Sequence, residues 1–200
     1  MVSNSIWITT MTIVFACYDQ IAGQSLGLGK CPSHPAMKTL NLKMFEGQWY
    51  EVERSFYLME MFSSCTSLSI KAKPSGALKV TIKNINRLTG SPSVSLGTAV
   101  PIKNASAELN YRVDTKFPSA VARMMPGSGR YHVLDTDYDT YAILWSCSNL
   151  TVMHADLIWV LGRHRELPVW ARAHIYNKLS ELNLDSDRLI LTRHKDCPDF

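Results

Sequence analysis

The 200-residue chain is 46% hydrophobic and 19% charged, with a formal net charge of +4 and a mean hydropathy of −0.06. That composition can fill a core, which excludes a disordered tail, and the length fits one domain. The basic residues form no run or stripe, which argues against nucleic-acid binding, and no apolar run approaches the roughly 20 residues of a membrane-spanning helix.

In chain order, the first feature is the apolar run 6–17, IWITTMTIVFAC, followed by small residues at Ala22-Gly23. It has the length of the hydrophobic region of a secretory signal peptide, although residues 1–5 carry no Lys or Arg. The competing reading is a buried first strand. The leader reading divides the chain into a removed segment, 1–23, and a single domain, 24–200.

Short alternating segments follow. The clearest is 78–84, where Leu78, Val80, Ile82 and Asn84 alternate with Lys79, Thr81 and Lys83. Strands are also predicted at 49–56, 65–73, 93–103, 107–114, 130–136, 140–146 and 156–163. Turn chemistry separates them: Pro74-Ser75-Gly76, Thr89-Gly90-Ser91-Pro92, Pro126-Gly127-Ser128-Gly129 and Asp137-Tyr138-Asp139. The period then changes. Ala171, Ile175, Leu179 and Leu182 form one helical face over 168–183, with Pro168 in the first turn and Asn183 at the end. Residues 187–192 read as a last strand. The expected fold is all-β: an eight-stranded up-and-down antiparallel barrel with one C-terminal helix and a short extra strand.

Of the five cysteines, Cys17 lies in the leader, leaving Cys31, Cys65, Cys147 and Cys197. An even, widely spaced set with no CxxC pair points to two disulfides rather than a zinc site. Three pairings are possible and spacing does not choose among them. Sequons at Asn104 and Asn149 make those residues candidate glycosylation sites and suit the same export route.

Enzyme signatures are missing: the chain has no HExxH, GxSxG or CxxC motif. Gly27-Leu28-Gly29-Lys30 lacks the spacer of a phosphate loop, and Cys31 stands where Ser or Thr would be. The six histidines have no metal-ligand spacing and the acidic residues no catalytic pairing.

Three stretches belong together instead: Gly47-Gln48-Trp49-Tyr50, Thr136-Asp137-Tyr138-Asp139, and Arg163. In an up-and-down barrel the first strand begins where the eighth ends and where the turn between the sixth and seventh sits. Trp49, that turn and Arg163 should therefore gather at one pole. Arg163 can lie over the indole, a contact worth about 0.5–2 kcal/mol. One end is thereby closed, by Gly47, Trp49, Asp137, Tyr138 and Arg163, and the other left open.

This pattern resembles the lipocalin family, in particular its apolipoprotein D, Lazarillo and insect bilin-binding group. The resemblance is carried by Gly29-Lys30-Cys31-Pro32, GQWYEVER at 47–54, DTDYDTYAILWSC at 135–147, DLIWVLGRHRELP at 156–168 and Cys197-Pro198. The stretch 135–147 is also similar to the retinol-binding branch. The resemblance implies the disulfides Cys31–Cys147 and Cys65–Cys197.

A barrel of this size leaves room for side chains or one small ligand. Alternation turns Leu68, Ile70 and Ala72 inward, with Leu78, Val80, Ile82 and Asn84, and with Leu109, Tyr111 and Val113. Strands 140–146 and 156–163 are apolar on both faces, so their register stays open. The resemblance implies that Ala142, Leu144, Trp159 and Leu161 face inward and that Phe45, Tyr131 and Asn86 lie near the cavity. Polar Asn84 and Asn86 suit a lined cavity better than a dry core.

The expected function is a secreted carrier of a small hydrophobic ligand (fatty acid, retinoid, sterol or bilin) that needs no cofactor. Burying about 300 Å² of apolar ligand surface gives roughly 7–8 kcal/mol gross, which leaves an affinity around micromolar. Two alternatives are a lipid isomerase using Cys65 as a cavity thiol, and a protein-interaction module. The latter would use open-end loops at 57–62 and 118–126, which could also touch lipid surfaces or a receptor.

Overall fold

A computed structural model describes residues 25–56, 62–104, 106–116, 127–149 and 151–198. The predicted leader, 1–23, and most of both predicted mouth loops lie outside the described residues. The elements are β1 (Ser25–Leu28), β2 (Gly47–Ser55), β3 (Ser63–Ala72), β4 (Leu78–Asn86), β5 (Pro92–Pro101), β6 (Glu108–Val113), β7 (Gly129–Thr136), β8 (Tyr141–Asn149), β9 (Met153–Gly162), α1 (Val169–Glu181) and β10 (Leu189–Leu191). From β2 to β9 each strand pairs antiparallel with the next, and β9 pairs back to β2. Eight strands thus close into a barrel, which leaves no long free edge.

β1 is an addition to the predicted set. Its four residues, SLGL, are too few to show a period. Its place follows from how the barrel closes. β2 pairs with β9 only at Trp159–Gly162, and β1 takes the remaining edge of β9 at Met153–Asp156. At the other side β3 pairs with β2 over Gly47–Tyr50, and β10 covers Glu53–Ser55.

Three strands carry bulges, between Glu51 and Glu53, Ser64 and Ser67, and Val133 and Asp135. Each bulge reverses the inward parity along its strand. In β3 the bulge carries Cys65 at φ 56°, where its sulfur meets Cys197. The other pair is Cys31–Cys147. Both are the pairs that the resemblance implies.

The barrel has apolar clusters on both sides of its wall. The inner one includes Trp49, Leu78, Leu109 and Ala142. The outer one joins Val52, Ile143, Trp145, Ile158 and Val160 to Ala171, Ile175 and Leu179 of α1. The helix therefore buries the face its spacing predicts. Asn183, at φ 55°, ends it in the left-handed conformation. Leu184 then bonds back to Leu179 and joins the cluster. Beneath α1, buried Glu53 accepts from Arg172 Nε at 2.8 Å and from the Tyr176 hydroxyl at 2.9 Å.

Residues 29–46 run down the outside of the barrel and across its closed end. Gly29 bonds to Val152, Cys31 is joined to Cys147, and Met37 bonds to Val133. Where this strap crosses β8, Trp145 has His34 and His132 edge-on at centroid distances of 4.9 and 5.1 Å. Its Nε1 donates to Asp156, which Arg188 holds through both terminal nitrogens. Burial lowers the pKa of both histidines, outweighing Asp156 beside His34 and Glu108 beside His132. The folded state therefore binds fewer protons than the unfolded chain near the ordinary value of 6.5. Their contribution to stability is complete above that value and is lost as the pH falls below it. Thermal melts should show a lower Tm at pH 5.5 than at pH 7.5, and His34→Phe with His132→Phe should flatten that dependence. An equally steep profile in the double variant would refute this assignment.

Candidate functional site

The closed end is built as the three sequence stretches require. Trp49 is fully buried, and the Arg163 guanidinium lies 3.8 Å from its ring centroid. Arg163 Nε donates to the Tyr138 carbonyl at 2.8 Å, Nη1 to Gln48 at 3.0 Å and Nη2 to Met44 at 3.0 Å. One side chain thus ties together β2, the β7–β8 turn and the strap. Trp49 Nε1 donates to the Phe45 carbonyl at 3.0 Å, and Phe45 and Leu40 lie buried beside it.

Asp137 Oδ1 accepts from the backbone N–H of Asp139, Thr140 and Tyr141, and these bonds hold its carboxyl below the ordinary value against the opposing effect of burial. Tyr138, at φ 68°, extends its hydroxyl to the Asn41 N–H. Gly47 has φ +104°, and a Cβ there would stand 3.0 Å from Arg163 Nη1. Gly47→Ala should therefore destabilise the fold by about 1–3 kcal/mol, read as a lower urea midpoint. An unchanged midpoint would show that the position is not constrained.

Above this floor is a cavity of about 160 Å³. β3 contributes Leu68 and Ile70, and β4 contributes Leu78, Val80, Ile82 and Asn84. Ala99 of β5, Leu109 and Tyr111 of β6, and Tyr131 of β7 continue the wall. Leu144 of β8 and Trp159 and Leu161 of β9 complete it, with Phe45 from the strap. Tyr111, Tyr131 and Trp159 form an aromatic row with successive centroids 5.9 and 5.3 Å apart. Burial and the Asp114 charge push the Tyr111 hydroxyl up to about 12, so it stays protonated at neutral pH.

Several expectations need correction. Asn86 does not line the cavity: its Oδ1 accepts from the N–H of Leu88 and Thr89 and caps the β4–β5 turn. Val113 packs on the inner cluster without reaching the cavity surface. Cys65 is not a cavity thiol, because its sulfur is bonded to Cys197 and sits in a pocket with Tyr50, Arg165 and His194. The isomerase reading loses its nucleophile. Asn104 and Asn149 are exposed, and Asn149 Oδ1 accepts from the Cys31 N–H.

Glu51, Ser63 and Thr66 also line the cavity, a polar wall that the sequence reading does not anticipate. Glu51 faces Leu161 across the sheet and Arg54 faces Trp159, so both point inward. Strict alternation would turn only one of them in; the bulge between Glu51 and Glu53 allows both. They form a buried ion pair, joined by Thr192. Among the described residues no cluster of three His, Cys, Asp or Glu could hold a metal ion.

Comparison with known proteins bears on this arrangement. A family model described as "Lipocalin-like domain" matches residues 40–194. The chain is a lipocalin. It is 33% identical to apolipoprotein D of Cavia porcellus over 89% of each chain. It is 25% identical to the bilin-binding protein of Pieris brassicae, covering 81% of this chain and 82% of the relative. Insecticyanin from the tobacco hornworm Manduca sexta superposes with a TM-score of 0.74 at 20% identity, over 87% of this lipocalin and 91% of that chain. The family binds small hydrophobic ligands such as bilins, and the barrel of this lipocalin holds a cavity lined mainly by apolar side chains.

Proposed function

We propose that this lipocalin is a secreted carrier that holds one small hydrophobic molecule (a fatty acid, retinoid, sterol or bilin) inside its barrel. The observation that carries the reading is an apolar hollow above a floor sealed by Trp49 and Arg163. Its volume of about 160 Å³ is enough for a slender guest, since an apolar cavity near 150 Å³ already accepts benzene. The candidate contacts are Phe45, Leu68, Ile70, Val80, Ile82, Asn84, Tyr111, Tyr131, Leu144, Trp159 and Leu161. Export is supported by the leader-like segment 1–23, by two disulfides and by exposed Asn104 and Asn149, which would carry glycans.

Intrinsic fluorescence tests this directly. Trp159 lines the cavity, whereas Trp145 belongs to the outer cluster under α1 and the strap. Saturable quenching by a lipid panel is expected through Trp159 and should persist in Trp145→Phe. Ala99→Phe, which places a ring in the hollow, should weaken binding at least about tenfold. Absence of saturable quenching across the panel would overturn the proposal.

A further inference from the structure

We infer that the cavity prefers amphiphiles ending in a hydrogen-bond donor, such as an alcohol, over those ending in a carboxylate, and that Glu51 sets this preference. The inference rests on the carrier reading above. Glu51 lines the cavity yet is only 4% exposed. Arg54 Nη1 and the Thr192 hydroxyl both donate to its Oε1, and Oε2 accepts from no described residue. Oε2 is therefore the oxygen that Glu51 offers to a guest in the hollow it lines.

A carboxylate oxygen can only accept. In a mainly apolar hollow it favours a guest that donates an O–H or N–H and disfavours a second carboxylate. The hydroxyls of Ser63 and Thr66, on the same wall, donate or accept and so do not discriminate. Arg54 offsets the charge of Glu51, but it does not line the cavity: Nη1 is engaged by Glu51 and Thr192, and Nε is sealed in protein, away from the hollow. An anionic headgroup would therefore meet an oxygen rather than the guanidinium.

The test compares 1-decanol with decanoate at pH 8, by quenching of Trp159. For the unmodified protein, decanol should bind at least about tenfold more tightly. In Glu51→Gln, whose amide can donate to a carboxylate, the ratio should fall to within about threefold. A urea midpoint for the variant establishes that it is folded; should it not fold, the ratio in the unmodified protein decides. Equal binding of the two probes there, or an unchanged ratio in folded Glu51→Gln, overturns the inference and leaves the carrier reading intact. Binding of neither probe overturns the inference, and the lipid panel then decides the carrier reading.

Discussion

Trp49→Ala should lower the unfolding free energy by about 3–5 kcal/mol, the cost of truncating a fully buried aromatic side chain. The indole is the floor of the barrel. Removing it leaves a void under Phe45, which lies 5.3 Å away by centroid, and uncovers the Arg163 guanidinium. Arg163 keeps its three carbonyl partners, so the barrel should still close, but around a hole. Urea unfolding at neutral pH measures the loss. A change below about 1 kcal/mol would mean that this end relaxes freely and that the Trp49–Arg163 stack is not its keystone.

Removing the Cys65–Cys197 disulfide, by substituting both cysteines with serine, should cost about 2–5 kcal/mol. The bond spans 132 residues and fastens the tail after β10 to the bulge of β3. Long loops gain most from closure, because the cross-link restricts the unfolded chain. The same tail contributes Thr192, whose hydroxyl donates to Glu51, so the bond also steadies the polar wall of the cavity. Thermal melts should show the drop in Tm, and ligand affinity should weaken with it. A variant as stable as the parent would show that pairing of β10 with β2 and the hydrogen bonds of the tail hold it without the cross-link.

Much of this is legible from the residues. β4 alternates strictly because its outer face is solvated, so Val80 and Ile82 are assigned inward at once. β8 and β9 are not legible in this way. Trp145, Ile158 and Val160 are as apolar as Leu144 and Trp159 because α1 and the strap cover their outer face. Period-2 reasoning needs one wet face, and here there is none. Arg54 is missed for a different reason: a bulge is a single inserted residue with no glycine to mark it, and it turns Arg54 to the same face as Glu51, which shares the parity of Trp49. Asn86 misleads because it continues the inward alternation of β4 while its side chain closes the next turn. The closed end is the most legible part, since its geometry depends on strand parity rather than on which face is wet.

Native mass spectrometry of the protein isolated from its own source, followed by extraction and identification of what it carries, tests the central claim most directly. The account predicts one small apolar molecule per chain, released on denaturation and taken up again on refolding. A chain that arrives empty, and stays empty when offered lipids, retinoids, sterols and bilins, would contradict it.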